Sequence, residues 1–297
     1  MSYNNILITG INGFVGSILR RSLEVKGYHV FGMDTESRDT AVRQTDITNL
    51  PAVMKCMEEL SPDFVFHLAA ISRVDSVDPS LLYAINVNGT MNLLSAAVSM
   101  KKKPGFLLVS SSQVYGIVDA SLQPITEDTP LRPVNHYGAS KASAEHIANV
   151  FRIEHGLPLV IVRPFNHTGR GQNPHFIIPK IVSAVREKKQ GLELGNLSVI
   201  RDFMDVRDVT DAYIRLMERL PDGEIFNVAS GTGYRLSDLL TMIQELSKTT
   251  LDIKHSDSLL RKNEIIKAIG DSSALQQCLN WRPAYSIRDT LEWLLTE

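Results

Sequence analysis

Apolar and polar positions change their period repeatedly along the first half of the chain. Ile6-Leu7-Ile8 is a short continuous apolar run, the pattern of a strand buried on both faces. From Val15 to Leu23 the apolar residues recur at helical spacing, and Val30 to Asp34 reads as a second strand. Asp63 to Leu68, Phe106 to Ser110 and Leu159 to Arg163 repeat the strand pattern. Segments near Ala52 to Leu60, Ala84 to Met100 and Ser140 to Glu154 repeat the helical one. This alternation predicts βαβ units with right-handed crossovers and an α/β fold with a doubly wound parallel sheet. Ligands on such sheets bind beyond the carboxyl ends of the strands. Those ends are Gly10, Asp34, Leu68-Ala69-Ala70, Ser111 and Pro164-Phe165-Asn166.

The second half is less regular. Gln172 to His175 and Gly191 to Ser198 read as loops, and Lys180 to Lys188 and Ser237 to Leu246 as helices. Phe226-Asn227-Val228 is a short strand, and Pro283-Ala284-Tyr285 precedes a last helix over Ile287 to Leu295. The pattern divides the chain into a dinucleotide-binding domain over 1–165, with a later segment around 200–230, and a smaller α+β substrate domain over 166–297.

Composition narrows the function. The chain has 297 residues and a formal charge of -2, so nothing draws it to nucleic acid or to a membrane surface. Lys101-Lys102-Lys103 reads as a solvated helix end. Cys56 and Cys278 are the only cysteines and fit no metal or redox spacing; both are expected to be buried thiols. His167 and His175 share no ligand spacing, so no metal is expected. With no signal peptide or membrane-length apolar run in the reading, a cytoplasmic enzyme is expected.

Two motifs carry chemistry. Gly10-Ile11-Asn12-Gly13-Phe14-Val15-Gly16 follows the first strand and opens the first helix. In that place Gly13 lets the backbone approach a pyrophosphate, and Gly16 lets helix pack on strand. Asp34, ending the second strand, is placed to accept bonds from an adenosine ribose. Farther on, Tyr137 and Lys141 stand four residues apart on one helix face. The ammonium is expected to lower the phenol's pKa, and a proton donor beside a nicotinamide is what carbonyl reduction needs.

Together with Asp46-Ile47-Thr48, His67-Leu68-Ala69-Ala70, Asn86-Val87-Asn88-Gly89-Thr90, Ser110 to Gly116 and Arg163-Pro164-Phe165-Asn166, these motifs resemble the extended short-chain dehydrogenase/reductases. Those are nucleotide-sugar epimerases, dehydratases and reductases on a Rossmann-type sheet. The resemblance covers essentially the whole chain. It implies an NAD(P)-dependent oxidoreductase, with NAD(H) or NADP(H) held by Gly10, Gly13, Phe14, Val15, Gly16, Asp34, Asp46, Ile47, Leu68, Ala69, Ala70, Tyr137, Lys141 and Pro164. Asp46 reads equally well as a helix N-cap. Asp34 favours an unphosphorylated ribose and Arg38 could offset it, so NADH with some use of NADPH is expected.

A narrower resemblance comes from Arg163 to Gln172, with Gly195-Asn196-Leu197, Arg201-Asp202-Phe203 and Val206 to Val209. These look like the subgroup that reduces GDP-linked 4-keto-6-deoxy-mannose to GDP-rhamnose. One departure is Arg170, where that subgroup has proline; it puts a cation near the expected pocket. The implied catalytic set is Ser111, Tyr137 and Lys141. Dehydratases carry an acid-base pair just after the hydroxyl residue, and here those places hold Ser112 and Gln113, neither of which exchanges protons as a carboxylate does. Reduction and 4-epimerisation of a UDP- or dTDP-sugar need only the triad. A non-enzymatic dinucleotide sensor is a third possibility, against which the intact triad argues. Substrate ligands are expected at Ser112, Asn166, Lys180, Arg201, Arg261 and Glu264. The plainer readings are an ion pair of Arg201 with Asp202 or Asp205, and solvated surface for Lys180 and Arg261. The resemblance also implies a homodimer through a four-helix bundle. Leu93, Leu94, Ala96 and Ala97 on one helix, and Ala142, Ala144, Ile147, Ala148 and Phe151 on the other, carry the apolar surface; half of it is expected to face the sheet and the remainder the bundle, the plainer reading being that all of it is internal core.

Overall fold

The computed structural model describes residues 3–72, 78–259 and 263–296. Its strands are β1 (Asn5–Thr9), β2 (His29–Asp34), β3 (Val42–Gln44), β4 (Phe64–His67), β5 (Gly105–Val109), β6 (Leu159–Pro164), β7 (Asn166–Thr168), β8 (Gly191–Leu194), β9 (Ile200–Asp205), β10 (Ile225–Val228), β11 (Gly233–Arg235), β12 (Asp252–His255) and β13 (Lys267–Ala268). Its α-helices are α1 (Phe14–Val25), α2 (Leu50–Leu60), α3 (Pro79–Tyr83), α4 (Thr90–Ser99), α5 (His136–His155), α6 (Ile177–Arg186), α7 (Val206–Arg219), α8 (Leu236–Ser247), α9 (Ser273–Leu279) and α10 (Ile287–Leu295).

The first compact unit comprises Met1–Gly116, Pro130–Pro164 and Thr210–Phe226. Its sheet runs in the order β10-β6-β5-β4-β1-β2-β3. The pairs from β3 to β6 are parallel, as the βαβ pattern predicts. Every residue of β4 and of β6 is buried, because helices cover both faces. α5 starts where Asn135 caps it, its side chain accepting the Gly138 N–H at 2.8 Å, and ends at Gly156 with φ +62°. Between α3 and α4 the helix widens into a π-turn over Ala84–Gly89. Pro79–Ser99 as a whole is long and apolar enough to cross a membrane by length and composition, which corrects the expectation of no such run. Leu82, Leu93, Leu94, Ala96 and Ala97 of this segment are nevertheless buried in the protein. The last four of these, with Ala144 and Ala148, form core within one chain, the part of the two helices expected to face the sheet.

The second unit comprises Ile117–Thr129, Phe165–Val209 and Asn227–Glu297. It thus takes 117–129 from the stretch assigned to the first domain, because Ile125 N–H donates to Ile269 O at 2.8 Å and Gln123 Nε2 donates to Lys267 O at 2.7 Å. The later segment of the first unit is 210–226, shorter than the 200–230 read from the sequence. β9 is central here: it pairs with β11, β13 and β7. Gly191–Leu194, read as loop, is strand β8 and pairs with β12. Around this frame α6, α8 and α10 pack through Ile178, Ile181, Leu239, Ile243 and Leu291.

Candidate active site

β1 ends at Thr9, and the turn that follows leaves no room for side chains. Gly10 has φ +71°, and a Cβ there would lie 2.9 Å from the Ala69 nitrogen. A Cβ on Gly16 would collide with the Gly10 carbonyl oxygen and with Ile11. Gly13 is the N-cap of α1 and brings no side chain to satisfy the first-turn amides, so a pyrophosphate suits that helix end. Asp34 holds the turn from the next strand: Oδ2 accepts the Asn12 N–H at 3.0 Å and Oδ1 the Thr35 N–H at 2.8 Å. Cradle and carboxylate therefore fit a dinucleotide. Arg38 is exposed and pairs with Glu36 at 3.6 Å.

Asp46 is not a helix cap; Asn49 takes that role for α2. Asp46 instead accepts the Thr48 N–H and hydroxyl, each at 2.8 Å. Ile47 fills the space over Gly89, where a Cβ would lie 2.6 Å from Ile47 Cδ1, and Asn92 Nδ2 holds the Ile47 carbonyl at 2.9 Å.

A buried chain of hydrogen bonds links this edge to α5. Thr90 donates to the Asn86 carbonyl at 2.7 Å, so its oxygen is left to accept from His67 Nε2 at 2.8 Å. That fixes the tautomer: His67 Nδ1 accepts from the Thr9 hydroxyl at 2.7 Å, and Thr9 Oγ1 accepts the Ala69 N–H at 3.1 Å. Asn86 Nδ2 donates to Ser140 Oγ at 3.0 Å, and Ser140 donates to the Tyr137 carbonyl at 2.8 Å. Burial, helped by the nearby Lys141 charge, pulls the pKa of His67 down to about 3. Sequence reasoning saw only a core histidine here; the alternation of Thr, His, Asn and Ser at strand and helix ends was the available signal.

Ser111 follows β5 and caps a short 3₁₀ turn over Ser112–Val114, accepting the Gln113 N–H at 3.2 Å. Gln113 Oε1 accepts from Asn135 Nδ2 at 3.0 Å, and its carbonyl sits where a Cβ on Gly138 would be. The turn is thus locked against the first turn of α5. Burial raises the pKa of the Tyr137 phenol, and the neighbouring Ser111 hydroxyl lowers it by less. This corrects the expected downward shift: the Lys141 ammonium is engaged by the Val109 carbonyl at 2.8 Å. Burial draws Lys141 down to about 8, with Glu145 opposing. On α7, a helix missed in the sequence, Tyr213 is buried with no hydrogen-bond partner for its hydroxyl among the described residues. Burial and the field of Tyr137 raise its pKa.

The expected substrate ligands lie in the second unit, apart from Ser112, which is half-buried beside Ser111. Asn166 opens β7 in register with Phe203. Arg201 is largely buried and pairs with Glu264 at 3.4 Å. Asp202 accepts from Ser230, Gly231 and Gly270, and Asp205 pairs with Arg207 at 2.7 Å. Lys180 Nζ donates to the Glu193 carbonyl at 2.7 Å. Arg261 lies outside the described residues. Arg170 bonds the Trp293 carbonyl of α10 at 2.7 Å and stacks on the Trp293 ring at 5.0 Å, and it lines a cavity together with Gln172, Arg186 and Leu294. Cys56 is buried, whereas Cys278 is only half-buried. Among the described residues no three His, Cys, Asp or Glu side chains gather as metal ligands.

A parallel sheet in this order, with its polar chemistry at the strand ends, is that of the extended short-chain dehydrogenase/reductases, enzymes that use nicotinamide nucleotides. The family model described as GDP-mannose 4,6 dehydratase matches residues 7–294, and the chain belongs to that family. It is 38% identical over 276 residues to GDP-6-deoxy-D-talose 4-dehydrogenase of Aggregatibacter actinomycetemcomitans, with 92% of this chain and 90% of that one covered. It is 31% identical over 299 residues to GDP-6-deoxy-D-mannose reductase of Pseudomonas aeruginosa, covering 98% and 96%. The structure of RMD from Pseudomonas aeruginosa complexed with NADPH superposes with a TM-score of 0.87 at 31% identity, covering 99% and 98%. A UDP-glucose 4-epimerase of Thermus thermophilus complexed with NAD reaches a TM-score of 0.89 at 25% identity, covering 98% and 97%. The cofactor of this chain is NAD(H) or NADP(H).

Proposed function

We propose that the protein reduces the 4-keto group of GDP-linked 4-keto-6-deoxy-mannose, with GDP-rhamnose as product. The observation that carries this reading is the Ser111 hydroxyl beside the buried Tyr137 phenol, with Ser112 and Gln113 where a dehydratase needs acid and base. A reduced nicotinamide dinucleotide, held by its pyrophosphate at the Gly10–Gly16 turn, would supply hydride to the carbonyl carbon. Tyr137 donates its proton to the sugar oxygen, and a phenol whose pKa is raised stays protonated at neutral pH for that purpose. Ser111 donates to the same oxygen as negative charge develops. Lys141 binds the nicotinamide ribose and, as the ammonium, steadies the phenolate left behind. Asn166, Lys180, Arg201, Arg261 and Glu264 serve the nucleotide sugar, with the cations on its diphosphate. Asp34 favours NADH, and Arg38, tied only to Glu36 at the surface, leaves NADPH usable.

The names of the 38% and 31% relatives both support a GDP-6-deoxyhexose. Their sugars differ in configuration at C4, so one ketone reduced from opposite faces gives either. The higher identity of the talose relative favours GDP-6-deoxy-talose as the second reading. Incubation with the GDP-keto sugar and NADH or NADPH tests both. One reduced cofactor consumed per product supports reduction, whereas turnover of UDP-glucose without net consumption would replace it with epimerisation. A large H3–H4 coupling in the product marks the manno configuration and a small one the talo.

A cytoplasmic homodimer completes the reading. Leu81, Met91, Val150 and Ile153 of α3, α4 and α5 are between 41% and 66% exposed, an apolar face suited to a second copy about a two-fold axis. Light scattering at micromolar concentration gives twice the chain mass if this is right, and a clean monomer removes it.

A further inference from the structure

Behind Ser111, Tyr137 and Lys141 lies a buried ion pair that the chemistry above does not use. Glu145 stands one turn beyond Lys141 on α5. Its carboxylate takes a guanidinium fork from Arg163 of β6: Nε lies 3.0 Å from Oε1 and 3.2 Å from Oε2, and Nη2 lies 2.7 Å from Oε2. The Ser110 hydroxyl donates to the same carboxylate. Arg163 Nη1 donates to the Tyr115 hydroxyl at 3.0 Å. The two charged side chains are 4% and 5% exposed.

Stability is a poor reason for such a pair. Desolvating two charges offsets most of their attraction, and an apolar pair of equal volume often packs as well or better. The location offers a better reason. Ser110 precedes Ser111, and Tyr137, Lys141 and Glu145 follow one another at four-residue intervals on α5. The groups around Lys141 are few. β5 offers the Val109 carbonyl. β4 offers His67, held neutral. β6 offers Arg163, already committed to Glu145 and Tyr115. α3 offers Tyr83, which meets His136 at 3.3 Å. α4 has no titratable side chain, and α7 brings the Tyr213 phenol into the field of Tyr137. Against burial, the charge that favours the ammonium is Glu145.

We propose that Glu145 is a positioning residue for the reduction: clamped by Arg163 and Ser110, it is the counter-charge that keeps Lys141 an ammonium beside Tyr137. The proposal rests on the roles given above to Tyr137 and Lys141. It assigns the clamp a purpose, since a carboxylate gripped at both oxygens has one orientation relative to the helix.

Three variants test it: Glu145→Gln, Glu145→Asp, and the double variant Glu145→Gln/Arg163→Met, which removes the buried pair as a unit so that no lone charge is left to unfold the protein. Two readouts are followed. One is the alkaline limb of kcat/KM for the keto sugar. The other is the titration of the Lys141 ammonium itself, followed by NMR of protein labelled at lysine Cε and assigned by difference from the same protein carrying Lys141→Met, which needs no turnover. The wild-type limb is expected near pH 8, where Lys141 loses its proton. Glu145→Gln and the double variant move it down by about one pH unit or more, and the Lys141 titration moves down with it. Glu145→Asp keeps the charge and the wild-type limb, at lower kcat. Limb and Lys141 titration both unmoved in either folded charge-removing variant would overturn the proposal, as would an aspartate variant that shifts as far as the glutamine. Should the wild type fail to reduce the keto sugar, the functional reading falls and the Lys141 titration still decides the role of Glu145.

Discussion

The Lys141 ammonium donates to the Val109 carbonyl oxygen at 2.8 Å, joining the second turn of α5 to the last residue of β5. Ser111 lies two residues past Val109, and Tyr137 lies one turn before Lys141. One bond therefore sets strand end and helix in register, and the hydroxyl and phenol meet as a consequence. The Gln113–Asn135 bond at 3.0 Å fastens the same two elements from the other side.

Tyr137→Phe should lower kcat by roughly 100- to 10,000-fold, the usual contribution of a general acid. Cofactor affinity, read by fluorescence titration, should change by less than about threefold, because only a hydroxyl is removed. Turnover close to wild type would assign the proton to another group.

Gly16→Ala should weaken cofactor binding at least about tenfold and destabilise the fold by about 1–3 kcal/mol, as overpacking does. The added Cβ would collide with backbone, the Gly10 carbonyl and Ile11, not with a side chain that can rotate away. Urea unfolding and cofactor titration check the two effects separately; a variant that loses neither would mean the turn is looser than described.

His67 should make the protein acid-sensitive. Its pKa is about 3 in the folded chain against 6.5 ordinarily, so between those values the unfolded chain binds the extra proton. The stability it contributes is complete above pH 6.5 and is lost as pH falls through that window, at no more than about 1.4 kcal/mol per pH unit. Urea unfolding of wild type and His67→Gln at pH 7, 6 and 5 should show the gap between them narrowing with acidity. A constant gap would show that the imidazole does not titrate on unfolding.

Arg201→Ala should weaken GDP binding by roughly ten- to a hundredfold, the loss of a charge-assisted bond of about 1.5–3 kcal/mol. Glu264→Gln serves as control, since it removes the ion pair at 3.4 Å while keeping the guanidinium. If calorimetry finds GDP affinity unchanged in Arg201→Ala and stability reduced in both, Arg201 is a structural partner of Glu264.

Much of the first unit was legible because its signals are local. Period alone placed β1, β4, β5 and β6, since strands buried on both faces are continuous apolar runs. Gly10, Gly13 and Gly16 announced a turn without room for Cβ atoms. Interactions between distant segments were not legible. α7 was missed because Arg207, Asp208, Asp211 and Arg215 dilute its apolar stripe, and β8 because two exposed residues alternate with two buried ones in only four positions. Asp202 and Asp205 looked like partners for Arg201, but Asp202 takes bonds from Gly231 and Gly270, tens of positions away, and Asp205 from Arg207 and the distant Thr290. The same holds for Glu145 and Arg163: one lies inside a predicted helix and the other opens a motif, and only folding shows that they meet.

The chain leaves the first unit after Gly116, Pro164 and Phe226 and re-enters it at Pro130 and Thr210. A gene cut at codon 165 therefore encodes neither unit. Its product would carry six strands of the large sheet and lack β10, which arrives only after the 165–209 stretch of the second unit has been synthesised. β6, buried along its whole length in the intact protein, would become a bare edge of apolar strand, a template for self-pairing. Nascent chains emerging from the ribosome pass through that state, which makes their interval of greatest aggregation risk a matter of translation time from residue 165 to residue 228.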